Sequence, residues 1–135
     1  MRTYVLDASA LLAFLEDKAG APKVEALLFD AHRAQARVFM SSVNYGEVYS
    51  KLLRDFGRDS ALQTMSSLSA LPVAIEDVTT QRSFGAAEVK NMYKLHFNDA
   101  FAAALAIEHK ATLVTGDTDF KKLGHNFPVL WLRAN

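Results

Sequence analysis

Apolar positions along the chain fall either in short runs or at helical spacing, and the changes between them mark strands and helices. Residues 3–6 form a short β-like run that ends at Asp7. Residues 9–15 read as a helix, with Ala8, Leu11, Leu12 and Leu15 on one face. Pro22 suits a first helical turn, and Val24, Leu27, Leu28 and Ala31 then recur at helical spacing. Residues 37–40 predict a second strand. The strongest helical pattern spans 42–56, where Tyr45, Val48, Tyr49, Leu52, Leu53 and Phe56 follow the i, i+3, i+4, i+7 rule and Gly57 ends the run. A helix over 59–71 stops at Pro72, a third strand follows over 73–78, and another helix covers 80–95. Residues 98–109 form an alanine-rich helix whose small side chains suit close packing on a sheet. Residues 112–115 and 128–132 supply the fourth and fifth strands.

Strands alternating with helices predict an α/β fold, with a mainly parallel five-stranded sheet flanked by helices. Sites in such sheets form at the carboxyl ends of the strands. Asp7 and Asp117 each stand just after a strand. The chain has 135 residues and shows no repeat, low-complexity segment or dividing linker, so residues 1–135 are expected to form one domain.

Composition narrows the class. Half of the residues are hydrophobic, enough for a packed core and unlike a disordered chain. Lys plus Arg and Asp plus Glu number 15 each, so the formal net charge is zero. A nucleic-acid surface would have to be a local patch, or act partly through metal ions. Cysteine is absent, which excludes disulfides and cysteine-based zinc sites. The longest apolar run, from Ala100 to Ile107, is far shorter than the ~18 residues of a membrane span. Asp7 and then Glu16, Asp17 and Lys18 interrupt any signal-peptide pattern, so the expected location is the cytoplasm, with no membrane partner. His32, His96, His109 and His125 lack metal-ligand spacing and read as surface or helix-end residues.

The acidic residues divide into two groups. Glu16, Asp17, Glu25, Asp30, Asp55, Asp59, Glu76, Asp77, Glu88 and Glu108 lie in polar surroundings and read as solvated surface. Asp7, Glu47, Asp99, Asp117 and Asp119 do not. Asp7 joins an apolar strand to an apolar helix, where a charge is costly unless paired, although Asp is also a good helix N-cap. Glu47 flanks an apolar helical stripe, and an i, i+4 pair with Lys51 would be its ordinary role. Asn98 or Asp99 would cap the alanine-rich helix, and Asp117 and Asp119 would make an Asx-type turn. Each structural role suffices alone. Together, these acids sit at strand ends and helix starts that a doubly wound fold brings to one edge. Carboxylates gathered there repel each other unless cations intervene, and hard oxygen ligands select Mg²⁺ or Mn²⁺. Two such ions roughly 3.5–4 Å apart serve in-line phosphoryl displacement.

Four segments carry a resemblance. Asp7-Ala8-Ser9 follows a strand, Asn44-Tyr45-Gly46-Glu47-Val48 lies in a helix, Asn98-Asp99-Ala100 opens a helix, and Thr115-Gly116-Asp117-Thr118-Asp119-Phe120 follows a strand. In order and spacing this set resembles the motifs of PIN-domain ribonucleases, and most of all the VapC toxins of VapBC toxin–antitoxin modules. The resemblance implies that Asp7, Glu47, Asp99 and Asp117 form a metal-binding acidic quartet, with Asp119 auxiliary and with Ser9 and Thr115 orienting carboxylates or water. It also implies endonucleolytic RNA hydrolysis with Mg²⁺ or Mn²⁺, a homodimer, and a cognate antitoxin as inhibitor. For Ser9 and Thr115, a helix-start or turn hydroxyl is the ordinary role. Lys90, Lys94, His96, Lys121 and Lys122 read first as solvated positions, and Phe127 and Trp131 as core or interface.

Three other functions fit parts of the pattern. HAD-like phosphatases also place an acid after the first strand, but they need a second Asp two residues later, where this chain has Ser9. A catalytically silent interaction module would not require all four acids. A non-toxin PIN nuclease in RNA processing would require them equally.

Overall fold

The computed structural model describes residues 1–133. Strand β1 (Arg2–Leu6) leads into α1 (Ala8–Leu15) and α2 (Ala21–His32), then β2 (Ala36–Ser41), α3 (Ser42–Phe56) and α4 (Arg58–Leu68). The edge strand β3 (Ala74–Glu76) precedes α5 (Thr80–Tyr93) and α6 (Phe97–His109). Strand β4 (Thr112–Thr115), a 3₁₀ turn (Thr118–Leu123) and β5 (Val129–Trp131) complete the chain. All strands are parallel, in the order β3-β2-β1-β4-β5. The chain therefore winds outward from β1 in one direction and from β4 in the other. The cleft expected where the order reverses lies at the carboxyl ends of these two central strands.

Strand alternation explains the two cores. Tyr4, Leu6, Val38, Met40 and Val114 face one layer, built on α1 to α4. Val5 and Leu113 face the other, where Ala100, Ala102, Ala103 and Ala106 of α6 bring that helix close to the sheet. Leu6, Val5, Leu113 and Val114 are fully buried, as expected for central parallel strands covered on both faces.

Local chemistry sets the boundaries. Ser41 caps α3 by accepting the Val43 N–H at 3.2 Å, and Thr79 caps α5 by accepting the Arg82 N–H at 3.1 Å. Gly57, at φ +83°, ends α3. Gly20 combines a positive φ with a close approach, because a Cβ there would stand 2.5 Å from Leu132 Cβ. Both edge strands are shorter than the sequence predicts, since each pairs on one side only and neither Pro72 nor Pro128 has an N–H to donate. The pairing still extends past β5, where Leu132 N–H donates to Thr115 O at 3.0 Å. Phe56 departs from the predicted stripe: in the last turn of α3 it is 61 % exposed.

Candidate active site

Asp7 occupies the end of β1, and its backbone N–H donates to Val114 O of β4 at 3.2 Å. Its carboxylate is buried and surrounded by donors. Oδ1 accepts from Ser9 Oγ at 2.7 Å and from the Ala10 N–H at 2.9 Å, and Oδ2 accepts from Thr115 Oγ1 at 2.5 Å. The Ala10 bond is an N-cap, so the ordinary role of Asp7 and its place in the site coexist. Ser9 Oγ also accepts the Gly116 N–H at 3.0 Å, and Thr115 Oγ1 accepts the Asp117 N–H at 2.9 Å. These two hydroxyls tie the start of α1 to the turn after β4. Burial pushes the Asp7 carboxyl up to about 6, against the lowering effect of Thr115, Ser9 and Ala10, with the Asp117 charge adding a little.

Asp99 stands in the first turn of α6. Neither Asn98 nor Asp99 caps that helix. The N-cap position falls on His96, because the helix starts one residue earlier than the sequence predicts, and the side chain of His96 makes no capping bond. Asp99 is half-buried and is also pushed up to about 6, by burial first and then by the charges of Asp117 and Glu47, with a smaller push from Asp119 and an opposing effect from His96. Carboxylate oxygens of Asp99, Asp117 and Asp119 lie within 4.8 Å of one another. A tight turn produces this grouping: Asp117 Oδ1 accepts the Asp119 N–H at 2.9 Å, so the predicted Asx-type turn forms and places both carboxylates on one side. Asp7 and Glu47 lie outside this tightest group but act on it electrostatically, Asp7 through Asp117 and Glu47 through Asp99.

Glu47 does not pair with Lys51. That lysine bonds Glu16 at 3.0 Å and Asp55 at 2.8 Å. Glu47 is held instead by two neutral amides, Asn44 Nδ2 at 2.7 Å and Asn98 Nδ2 at 3.0 Å. Asn44 is 1 % exposed. The sequence signal for it is a polar residue in the series Asn44, Val48, Leu52 on the buried face of α3.

Several acids read as solvated surface are in fact paired. Arg82 forms a two-pronged contact with Glu108 at 2.8 and 3.0 Å and lies 3.5 Å from Glu76, which also meets His109 at 3.1 Å. His109 is the last residue of α6, in keeping with a helix-end role, and it stacks on Phe39 at 3.9 Å. Among the described residues, no ion pair reaches Asp7, Glu47, Asp99, Asp117 or Asp119. The one edge that gathers acids is therefore left without cationic side chains bonded to them. Its donors are all hard oxygens, which suit Mg²⁺ or Mn²⁺. A groove of about 670 Å³ along α5 and α6 is lined by Val89, Met92, Phe101 and Ile107 among others, and by none of these five acids. Phe127 and Trp131 pack partly buried against the α6-side core, and Lys122 Nζ donates to Lys94 O at 3.3 Å. No helix of the described residues is long and apolar enough to cross a membrane.

Comparison with known proteins agrees with this architecture. Similar structures include VapBC2 from Rickettsia felis bound to a promoter DNA fragment, with a TM-score of 0.74 and 18 % identity, covering 97 % of this chain and 99 % of that one. VapBC-1 from nontypeable Haemophilus influenzae gives 0.72 and 19 %, with coverage of 96 % and 98 %. VapC20 from Mycobacterium tuberculosis, a toxin that cleaves the sarcin–ricin loop, gives 0.68 and 21 %, with coverage of 90 % and 95 %. No curated protein matches the sequence. The sequence itself matches the PIN domain over residues 4–126, a span that contains all five acids, and the chain belongs to the PIN-domain family.

Proposed function

We propose that this protein is a metal-dependent endoribonuclease and the toxin of a toxin–antitoxin pair. The observation that carries the reading is the convergence of Asp99, Asp117 and Asp119 within 4.8 Å at the edge where Asp7 and Glu47 also act. Uncompensated carboxylates at that spacing are stabilised by a divalent cation, and Mg²⁺ or Mn²⁺ fits their oxygen chemistry. Asp99 and Asp117 are the central ligands, with Asp119 auxiliary beside them, and Asp7 and Glu47 join as ligands from the sheet and from α3. A bound cation supplies activation of water and stabilisation of the oxygens in phosphodiester displacement. The chain does the positioning. Ser9 and Thr115 fix both oxygens of Asp7, and the turn at Asp117 sets the direction of Asp119. In the metal-free protein the Asp7 and Asp99 carboxyls, raised to about 6, keep their protons to a higher pH than ordinary carboxylates, so below that pH cation binding displaces protons from them.

RNA as the substrate is supported by family membership and by the likeness to VapC20. The likeness to VapBC complexes supports an antitoxin partner, and the toxin reading brings with it a homodimer working in the cytoplasm. The test is cleavage of RNA by purified, antitoxin-free protein with Mg²⁺ or Mn²⁺, beside Asp99→Asn and an EDTA control. Wild type should cut and stop in EDTA. Asp99→Asn should lose more than about 100-fold, beyond the 10–100-fold typical of residues that only orient a ligand. Cleavage that persists in excess chelator contradicts the mechanism. Expression without the antitoxin should arrest growth, and Asp7→Ala should abolish the arrest; equal harmlessness of both at matched levels contradicts the toxin role.

A further inference from the structure

We infer that Asn44 is a positioning residue for Glu47, acting together with Asn98, an inference that rests on the metal site proposed above. Asn44 projects from the first turn of α3 and is almost wholly buried. Its Nδ2 donates to Glu47 Oε1 at 2.7 Å and to the backbone carbonyl of Asn98 at 3.0 Å. Asn98 Nδ2 donates to Glu47 Oε2 at 3.0 Å. Three hydrogen bonds thus close a ring between α3 and the first turn of α6, the turn that carries Asp99. Both partners of Asn44 Nδ2 are acceptors, which fixes the orientation of the amide.

Two features separate this ring from ordinary helix packing. The first is cost. Asn44 Oδ1 is buried with no hydrogen-bond partner among the described residues, a penalty that an apolar side chain of similar size would avoid. A contact needed only to join α3 to α6 does not require an amide there. The second is charge. Lys51, one turn along α3, is directed to Glu16 and Asp55, and only neutral donors touch Glu47. An amide donor fixes a carboxylate without neutralising it, and each oxygen keeps a lone pair. The ring therefore holds Glu47 in one orientation, beside the turn that carries Asp99, without a cationic partner. A lysine or arginine in the same place would compete with a cation.

The test is Mn²⁺ binding by calorimetry on folded, metal-stripped protein. The variants are Asn44→Ala, Asn98→Ala and Glu47→Gln, and each Asn variant is also combined with Glu47→Gln. Asn98 is exposed, so its variant keeps the test decisive if Asn44→Ala does not fold. The expected result is an affinity loss of about tenfold for each Asn variant, as for other partners that orient a metal ligand, and no further loss in the Glu47→Gln background. A general disturbance of the fold would weaken binding equally in both backgrounds, and that result overturns the inference. Full affinity in Asn44→Ala and Asn98→Ala beside a weakened Glu47→Gln overturns the positioning role and leaves the metal site standing. Full affinity in Glu47→Gln as well overturns Glu47 as a ligand and the positioning role with it.

Discussion

Asp7 and Asp99 stand on the same edge of the sheet and are both pushed up to about 6, for different reasons. Asp7 is sealed at the end of β1, and three donors from Ser9, Ala10 and Thr115 offset the cost of its burial. Asp99 is half-buried on the rim, where its neighbours are further carboxylates. The sealed acid is stabilised by the protein itself. Among the described residues Asp99 has no such donor, and Asp117 has only the Asp119 N–H, so the rim is left with unrelieved like charge. Removing the donors around Asp7 should therefore destabilise the fold, whereas removing charge from the rim should stabilise the metal-free fold.

Thr115→Val gives the largest expected effect on stability. The shape is kept, but Asp7 Oδ2 loses its donor and the Asp117 N–H its acceptor. Leaving such groups unsatisfied costs about 1–3 kcal/mol. That corresponds to roughly 4 °C for each kcal/mol in a chain of this size. A thermal melt of the chelated protein checks it, and an unchanged melting temperature would show that Asp7 does not depend on its donors.

The pH dependence is intermediate in size. Between the ordinary 3.8 and about 6, folded Asp7 and Asp99 keep protons that the unfolded chain releases. Their contribution to stability is thus fully present below the ordinary value and is lost as pH rises through about 6. Glu16 and Asp55, held low by Lys51, and Glu108, held low by Arg82, act in the opposite sense: their contribution is lost as pH falls through their lowered range. In EDTA the melting temperature should peak between about pH 4 and 6 and fall towards pH 7.5. A chelated protein that is most stable at pH 7.5 would contradict the raised values.

Lys51→Ala should do least. Its ion pairs are part-exposed, and such pairs add little stability. Because it does not touch Glu47, Mn²⁺ affinity should be unchanged. A clear change in affinity, measured by calorimetry, would reconnect Lys51 to the site.

These contrasts also mark what the sequence can reveal. Short apolar runs and helical spacing place every strand and α-helix, because each element must bury one face or both. Asp7 and Asp117 are legible as strand-end acids for the same reason. The pairing of Lys51 with Glu16 is not, since it depends on how α1 packs beside α3. Nor is the tight grouping of Asp119 with Asp99, which needs the Asx turn and the position of α6 together. The capping of α6 was misplaced because Asn98 and Asp99 are both good caps, whereas their side chains are turned to Glu47 and the acidic edge. Asn44 was legible as a polar position on a buried helical face, and only the fold reveals its partner across the helix interface.

The central claim is that the rim carboxylates converge on a divalent cation. Thermal melts of wild type and Asp99→Asn, each in EDTA and in Mg²⁺ at neutral pH, test it most directly. Asp99 lies inside the first turn of α6 and is not its cap, so the substitution removes a charge and spares the helix start, apart from a small loss of helix-dipole stabilisation. In EDTA the variant should melt higher than wild type, because repulsion from Asp117, Glu47 and Asp119 is relieved. Mg²⁺ should raise wild type clearly and the variant much less, since a ligand stabilises only the state that binds it. A variant that melts at or below wild type in EDTA, with an undiminished Mg²⁺ shift, would contradict the account.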